Sequence, residues 1–277
     1  MNIAILLPYK ENFTKTKAGA VSIFVNDTIK ISNYKNDIKV YGYTSFKDRL
    51  NNYVNLHITK KFLNSTSSQY LNKFLVKIKN IKIDILEIHN RPSYIDFLDK
   101  NCKSKKVLYF HNDPQSMLGS RTIVERINLL KKTERIIFHS NWSKMRFLEN
   151  LPNHIDYKKI IVIPQSTSKT NVNFDKKKNL ISFIGKLNTS KGYDIFGKSI
   201  LKILDKYPDW KSIVIGDEPR EKLIFKHKNL KNLGYKKLHN IEYDSEINNI
   251  NEFKFEEEYF SYNNFIILYF SLWYCRV

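Results

Sequence analysis

A strand, a turn and a helix are predicted within a single segment, Leu180-Ile-Ser-Phe-Ile-Gly-Lys-Leu-Asn-Thr-Ser-Lys-Gly-Tyr-Asp-Ile-Phe-Gly-Lys198. Its apolar run is typical of a buried strand, Gly185 is predicted as the turn, and Ser190 as the cap of the helix. A strand tip that leads into a helix N-terminus favours anions, because backbone N–H groups and the helix dipole point there. Lys186 and Lys191 flank this tip. They suit a diphosphate ligand, and they would also fit an ordinary strand and helix of a basic chain.

The composition of the 277-residue chain indicates a basic globular protein. Its length leaves room for about two domains. The 47 Lys and Arg residues outnumber the 27 Asp and Glu residues, which gives a formal net charge of +20. Such a surface attracts phosphate groups, whether they belong to nucleotides, nucleic acids or anionic lipids. A general bias of the sequence toward Lys, Asn and Ile would produce the same excess, so the charge does not identify the partner.

The cysteines and the N-terminal residues bear on the compartment. Cys102 and Cys275 are the only cysteines and lie far apart, so neither a disulfide framework nor a zinc site is predicted. Residues 1–8 are typical of a first strand and not of a signal peptide, and no run of about 18 apolar residues predicts a membrane span. We therefore expect a cytoplasmic protein, with peripheral contact at the inner face of an anionic membrane as an open alternative.

Apolar strands alternate with amphipathic helices from residue 1 to about residue 166, which predicts a Rossmann-like domain with a doubly wound parallel sheet. In such sheets ligands bind beyond the carboxyl ends of the strands. Five candidate site residues follow predicted strand ends or open the first predicted helix: Gly19, His89, Asn90, Arg91 and His111. Each of them is also compatible with a structural role.

The second part of the chain follows the same pattern and then leaves it. A polar linker is predicted at residues 167–179, and residues 180–237 are predicted to form part of a second Rossmann-like domain. Residues 238–277 show no further strand and helix pair and end in an aromatic tail. A truncated or frame-shifted chain would explain this tail, and so would a divergent tail that packs on the domain or binds a membrane surface.

Five motifs follow one another along the chain: Glu87-Ile-His-Asn-Arg-Pro92, Tyr109-Phe-His-Asn-Asp-Pro114, His139-Ser-Asn-Trp142, Val162-Ile-Pro164 and Phe183-Ile-Gly-Lys-Leu-Asn-Thr-Ser-Lys-Gly192. In this order they resemble family 4 of the glycosyltransferases, over residues 1 to about 237. The resemblance implies the GT-B architecture, an α/β fold of two Rossmann-like domains, here with the second incomplete. The first domain would bind the acceptor, and the second most of a nucleotide-sugar donor.

The resemblance also implies an activity and assigns residues to it. The activity is a retaining sugar transfer to a glycan or lipid-linked acceptor, for cell-envelope or extracellular polysaccharide, with no metal and no other cofactor. His111 is the candidate catalytic residue, because the family has a histidine at this strand tip that contacts the donor sugar. The donor-binding set is Gly19, Gly185, Lys186 and Lys191, and the acceptor-side set is His89, Asn90 and Arg91.

The sequence departs from the family in one respect. The family carries a pair of glutamates in its donor domain, one near the sugar and one on the ribose, and no such pair is found here. A catalytically silent remnant of such an enzyme is therefore one alternative. A nucleotide-sugar epimerase, which shares the architecture, and a basic module that binds anionic lipid or nucleic acid are others. Lysines spread over the predicted helix exteriors argue against nucleic acid.

Overall fold

The computed structural model describes residues 1–58, 65–152, 157–165 and 179–235, together with the backbone of residues 265–267. The chain divides into two compact units, Met1–Ser166 and Thr167–Val277. Each unit is built around its own sheet.

The first unit contains a seven-stranded sheet in which every strand pair is parallel. The strands are β1 (Ile3–Leu6), β2 (Ile38–Gly42), β3 (Tyr53–Asn55), β4 (Ile85–His89), β5 (Lys105–Phe110), β6 (Arg135–Phe138) and β7 (Ile160–Val162). They lie in the order β3-β2-β1-β4-β5-β6-β7. The helices are α1 (Ala20–Ile31), α2 (Thr66–Ile78), α3 (Ile95–Asn101), α4 (Ile123–Lys132) and α5 (Asn141–Leu148). This arrangement confirms the doubly wound α/β sheet that the alternation predicts.

The two faces of this sheet bury separate apolar cores, because successive side chains of a strand point to opposite faces. One core joins the sheet to α2, α3, α4 and α5 and contains the fully buried rings of Phe74, Phe110 and Phe138. Burial of each such ring contributes about 1.5–3 kcal/mol. The other core joins β1 and β2 to α1 through residues such as Ile5 and Val25. The candidate histidines lie on the α1 face.

Local capping fixes where several helices begin. The hydroxyl of Ser65 accepts from the N–H of Ser68 at 3.2 Å, so α2 begins at Thr66. A capping box between Thr122 and Glu125 starts α4. The hydroxyl of Ser140 accepts from the N–H of Ser143 at the start of α5.

The second unit has a four-stranded parallel sheet in the order β10-β9-β8-β11. The elements are β8 (Leu180–Ile184), α6 (Tyr193–Lys206), β9 (Lys211–Ile215), β10 (Leu230–Asn232) and β11 (Phe265–Ile267). The sequence predicts no further strand and helix pair in residues 238–277; of these residues the structure describes the strand β11, which pairs with β8. The predicted linker and the rest of the tail lie outside the described residues, except for Asn179.

Helix α6 begins at Tyr193 and buries Phe196, Ile200 and Leu204. Ile195 of the same helix is 44% exposed, because it lies one position off the buried stripe of a 3.6-residue repeat. Among the described residues, none of the helices has the length and apolar character needed to cross a membrane.

Candidate functional site

Three histidines lie side by side where three adjacent strands of the first unit end. His89 is the last residue of β4, and His111 and His139 directly follow β5 and β6. The Nδ1 atom of His89 lies 2.9 Å from Nε2 of His111, and the Nδ1 atom of His111 lies 2.8 Å from Nε2 of His139. At the far end, Nδ1 of His139 lies 3.1 Å from the carbonyl oxygen of Ile163. We call these three residues the histidine string.

Aromatic rings hold the histidine string in place. Phe24 of α1 packs edge-on against His111 and His139, with ring centroids 5.2 and 4.9 Å apart. Tyr109 of β5 stacks on His89 at 4.6 Å. His89 is 1% exposed, so its ring is fixed on every side. Such packing limits each imidazole to one orientation.

The same burial determines the charge of two of the rings. Burial, aided by His89 and His139, lowers the pKa of His111 to about 2. Burial also lowers the pKa of His139, although its hydrogen bond to Ile163 acts in the opposite direction. His111 is therefore neutral at physiological pH. Burial, and then the nearby Glu87, raise the pKa of the Tyr109 hydroxyl, so this group also stays neutral.

The predicted acceptor-side residues Asn90 and Arg91 have structural contacts at this edge. Asn90 has a positive φ of 55°, and its side-chain oxygen accepts from the N–H of His111 at 3.2 Å. Arg91 donates from Nη1 to the carbonyl oxygen of Asn90 at 2.7 Å. Both residues shape the turn that carries the histidines, and Arg91 stays partly exposed.

Gly19 lies at the N-terminus of α1, and a carboxylate of the chain itself already occupies that position. A Cβ on Gly19 would overlap Oε1 of Glu11. That oxygen accepts from the N–H of Ser22, in the first turn of α1, at 3.1 Å. The φ of Gly19 is −86°, so the residue is not required for its backbone angle. Glu11 therefore satisfies the helix end at which the sequence predicts donor phosphates.

In the second unit, two glycines meet at the tips of neighbouring strands. Gly185 follows β8 with a φ of +152°, and Gly216 follows β9 with a φ of +149°. The N–H of Gly185 donates to the carbonyl oxygen of Ile215 at 3.0 Å, which extends the strand pairing to the tip. The predicted turn at Gly185 is therefore present.

Lys186 and Lys191 lie on the loop beyond this tip. Lys186 is exposed and Lys191 is partly buried. Neither ammonium group has a hydrogen bond or ion pair with another described residue. Two positively charged side chains therefore lie on the loop that follows this strand tip.

Hydrogen bonds to neighbouring side chains hold the loop that carries the two lysines. Asn188, 7% exposed, accepts from the N–H of Lys191 at 3.1 Å and donates to Glu218 at 3.2 Å. Glu221 accepts from the N–H of Thr189 at 2.9 Å. The hydrogen bond with Arg220 is the main reason why the pKa of Glu218 falls to about 2. The Glu218 carboxylate therefore stays charged, and its contact with Asn188 helps to hold the loop in place.

The prediction of the capping residue in this loop is wrong. Asn188, and not Ser190, is the capping residue, and it caps a short 3-10 turn, Thr189–Lys191, that precedes α6. Ser190 donates instead to the side-chain oxygen of Asn188 at 2.9 Å. The N–H groups of Thr189 and Lys191 already donate to Glu221 and Asn188, so they do not point at an open anion site.

Sequence reasoning missed several residues that define these edges. His139 and Glu87 were noted only within motifs, although a histidine at the end of each of three successive strands is itself a signal. Glu87 Oε2 lies 3.6 Å from Nε2 of His89. Asn188 and Glu218 were not singled out, because their contact joins residues 30 positions apart.

No group of three or more His, Cys, Asp or Glu side chains in the described part of the chain is arranged to hold a metal ion. In the histidine string, four of the six ring nitrogens face one another.

Comparison with solved structures places the fold among GT-B enzymes. The lipopolysaccharide outer core galactosyltransferase WaaB, in its apo form, is 13% identical, with 88% of this chain and 71% of that chain covered and a TM-score of 0.55. Sucrose-phosphate synthase from Thermosynechococcus elongatus is 9% identical, with 87% and 72% covered and a TM-score of 0.60. UDP-GlcNAc 2-epimerase from Neisseria meningitidis is 12% identical, with 86% and 73% covered and a TM-score of 0.52.

These likenesses concern the fold, because identities this low carry no residue roles with them. The chain has the α/β fold of the GT-B glycosyltransferases, with a seven-stranded Rossmann-like sheet and a second, smaller one. The fold class predicted from the sequence is confirmed. No protein-family model and no curated protein sequence matches the chain.

Proposed function

We propose that this chain moves a sugar from a nucleotide-sugar donor to a glycan or lipid-linked acceptor. The proposal includes retention of the anomeric configuration, a cytoplasmic location and a role in cell-envelope polysaccharide synthesis. The observation that carries it is the pair Lys186 and Lys191 beside the strand tip at Gly185, without partners among the described residues. The GT-B-like fold, shared with glycosyltransferases of known structure, supports it.

The chemistry of sugar transfer explains why two lysines suit this place. As the bond between the sugar and the diphosphate breaks, negative charge builds on the departing phosphate oxygen. Fixed ammonium groups stabilise that charge without a metal ion, and each charge-assisted hydrogen bond contributes about 1.5–3 kcal/mol. The Asn188 and Glu218 contacts hold the lysine loop before a ligand arrives. Less of the binding energy is then needed to order the loop.

Binding and turnover together test the proposal. Calorimetry of the full chain with UDP, ADP and GDP should find one nucleoside diphosphate that binds. Incubation with the matching nucleotide-sugar, with and without glycan acceptors, should release that diphosphate. Absence of binding by every nucleotide contradicts the proposal, and binding without any turnover favours the silent remnant.

An epimerase is the second enzyme that an observation favours, because a UDP-GlcNAc 2-epimerase shares the fold. It would act on the same class of donor without an acceptor. Product analysis separates the two activities: an epimerase yields an isomerised sugar, whereas a transferase yields a glycosylated acceptor and a nucleoside diphosphate.

A groove of about 770 Å³ lies at the N-terminal ends of β4 and β5. It favours a different function, the binding of anionic lipid. Its lining includes the lysines Lys79, Lys82, Lys103 and Lys105 and apolar residues of α2 and the segment before β4. Flotation with vesicles that contain an anionic lipid tests it, and loss of binding in Lys79→Ala with Lys82→Ala would support it.

A further inference from the structure

One carbonyl group determines which ring nitrogen donates and which accepts in each hydrogen bond of the histidine string. The carbonyl oxygen of Ile163 can only accept, so Nδ1 of His139 carries a proton. In a neutral ring the Nε2 atom of His139 then accepts, and Nδ1 of His111 must be its donor. By the same step, Nε2 of His111 accepts from Nδ1 of His89. All three rings are therefore Nδ1-protonated.

The other end of the string lacks a hydrogen-bond partner within the described part of the chain. There, Nε2 of His89 is buried and neither donates nor accepts a hydrogen bond. It lies 3.6 Å from a carboxylate oxygen of Glu87, which is itself partly exposed. When the His89 ring is neutral, the lone pair of Nε2 faces the negatively charged carboxylate of Glu87. A proton added to Nε2 converts this contact into an ion pair.

We propose that Glu87 and His89 form the proton acceptor of this edge, and that His111 and His139 are positioning residues that fix its direction. A proton cannot pass along the string and leave it, because the Ile163 end is closed by a carbonyl oxygen. It can enter only at the Glu87 end. The string thus binds one proton, at Nε2 of His89.

Groups on three elements face His89. They are Glu87 on β4, Tyr109 on β5 with His111 directly after it, and the uncharged ring of Phe24 on α1. His139 acts through His111. Tyr109 and His111 stay neutral for the reasons given above, so Glu87 supplies the charge that stabilises a proton on His89.

The chemical role of this pair rests on the proposed function. As the acceptor oxygen bonds to the anomeric carbon, the bond between that carbon and the diphosphate breaks and the diphosphate keeps the electron pair. The acceptor also loses its hydroxyl proton, which we assign to the Glu87 and His89 pair. His111 itself has both ring nitrogens engaged. It can contact a sugar through a ring nitrogen only if one of those bonds breaks.

Nuclear magnetic resonance of the full chain, labelled with ¹⁵N in its histidine rings, tests the assignment without a substrate. We expect Nδ1-bound protons on His89, His111 and His139. His227 is an internal control with the opposite tautomer, because its Nδ1 accepts from the N–H of Asn229 at 3.0 Å. On acidification one proton should appear at Nε2 of His89, and this uptake should move to lower pH in Glu87→Gln.

Two results would overturn the inference. One is an Nε2-bound proton on neutral His111 or His139, and the other is proton uptake that Glu87→Gln leaves unchanged. Glu87→Asp is the second variant should Glu87→Gln unfold, and it should move the uptake in the same direction by a smaller amount. Glu134→Gln, at an exposed carboxylate, is the matched control and should have no effect.

Nucleotide binding separates this inference from the proposed function. Glu87→Gln should bind the nucleoside diphosphate as the unaltered chain does, while kcat falls at least tenfold with KM for the donor unchanged. If no nucleotide binds and the ring protons are as expected, the proposed function fails and the proton acceptor stands. If transfer proceeds and Glu87→Gln retains full kcat, the assigned role in catalysis is wrong.

Discussion

Gly216 lies so close to Gly185 that a Cβ on Gly216 would overlap the carbonyl oxygen of Gly185. The two strand tips of the second unit are therefore in backbone contact, directly before Lys186. We predict that Gly216→Ala lowers the free energy of unfolding by about 2 kcal/mol or more, because its φ of +149° and the overlap both oppose a side chain. Urea unfolding measures this.

Gly234→Ala is the control for that substitution. Gly234 also has a positive φ, of +64°, but a Cβ there would meet no atom of the described residues within 4 Å. The Gly234→Ala substitution should lower the free energy of unfolding only by its backbone strain, about 1 kcal/mol. If Gly216→Ala and Gly234→Ala lower the free energy of unfolding equally, the close contact between Gly185 and Gly216 does not explain the effect of Gly216→Ala.

The buried histidines make stability depend on pH. The pKa of His111 is about 2 in the folded chain, against 6.5 as the ordinary value, so the unfolded chain binds more protons between these limits. The contribution of His111 to the free energy of unfolding is therefore fully present above pH 6.5, and it declines as the pH falls below this value. Between pH 7.5 and 5.5 we expect this residue to account for a loss of about 1 kcal/mol, measured by urea unfolding.

Two variants identify the source of that loss. His111→Phe keeps a ring in the same place, and its unfolding free energy should be lower at pH 7.5 but should change less with pH. His57→Gln, outside the string, should follow the unaltered chain. The account fails if His111→Phe and the unaltered chain have the same pH dependence.

Glu11 and Gly19 are predicted to be energetically coupled. Gly19→Ala should push the Glu11 carboxylate away from the N–H of Ser22 and weaken the start of α1. In the Glu11→Ala background that contact is already absent, so Gly19→Ala should cost less there. A double-mutant cycle of unfolding free energies should give a coupling of about 1 kcal/mol. Strictly additive effects would exclude the carboxylate as the reason for this glycine.

The fold could be predicted where the signal is local. The apolar run Leu180–Ile184 and the glycine after it are sufficient for β8 and its turn. Ser140 identifies the start of α5 because a cap bonds to a residue only three positions away. The tail strand Phe265–Ile267 could not be predicted, because a short apolar run such as residues 265–270 does not by itself distinguish a strand from a buried helix segment.

The site residues were harder to predict, because their contacts join distant parts of the chain. The sequence places His89 and His111 at strand ends, but the link to His139 requires the strands to be aligned in space. Glu11 beside Gly19 and Glu218 beside Asn188 are likewise tertiary contacts. A helix N-terminus predicted as an anion site can therefore be occupied by a carboxylate of the same chain, which no periodicity indicates.

The central claim is that Lys186 and Lys191 bind a nucleoside diphosphate, and the most direct measurement is its dissociation constant for Lys186→Ala and Lys191→Ala. Lys202→Ala, at an exposed lysine of α6, is the matched control. The account predicts that each of the first two variants binds about tenfold more weakly or worse, because a charge-assisted hydrogen bond is lost. The control should bind as the unaltered chain does. Unchanged affinity in both variants, or an equal loss in all three, would contradict the claim.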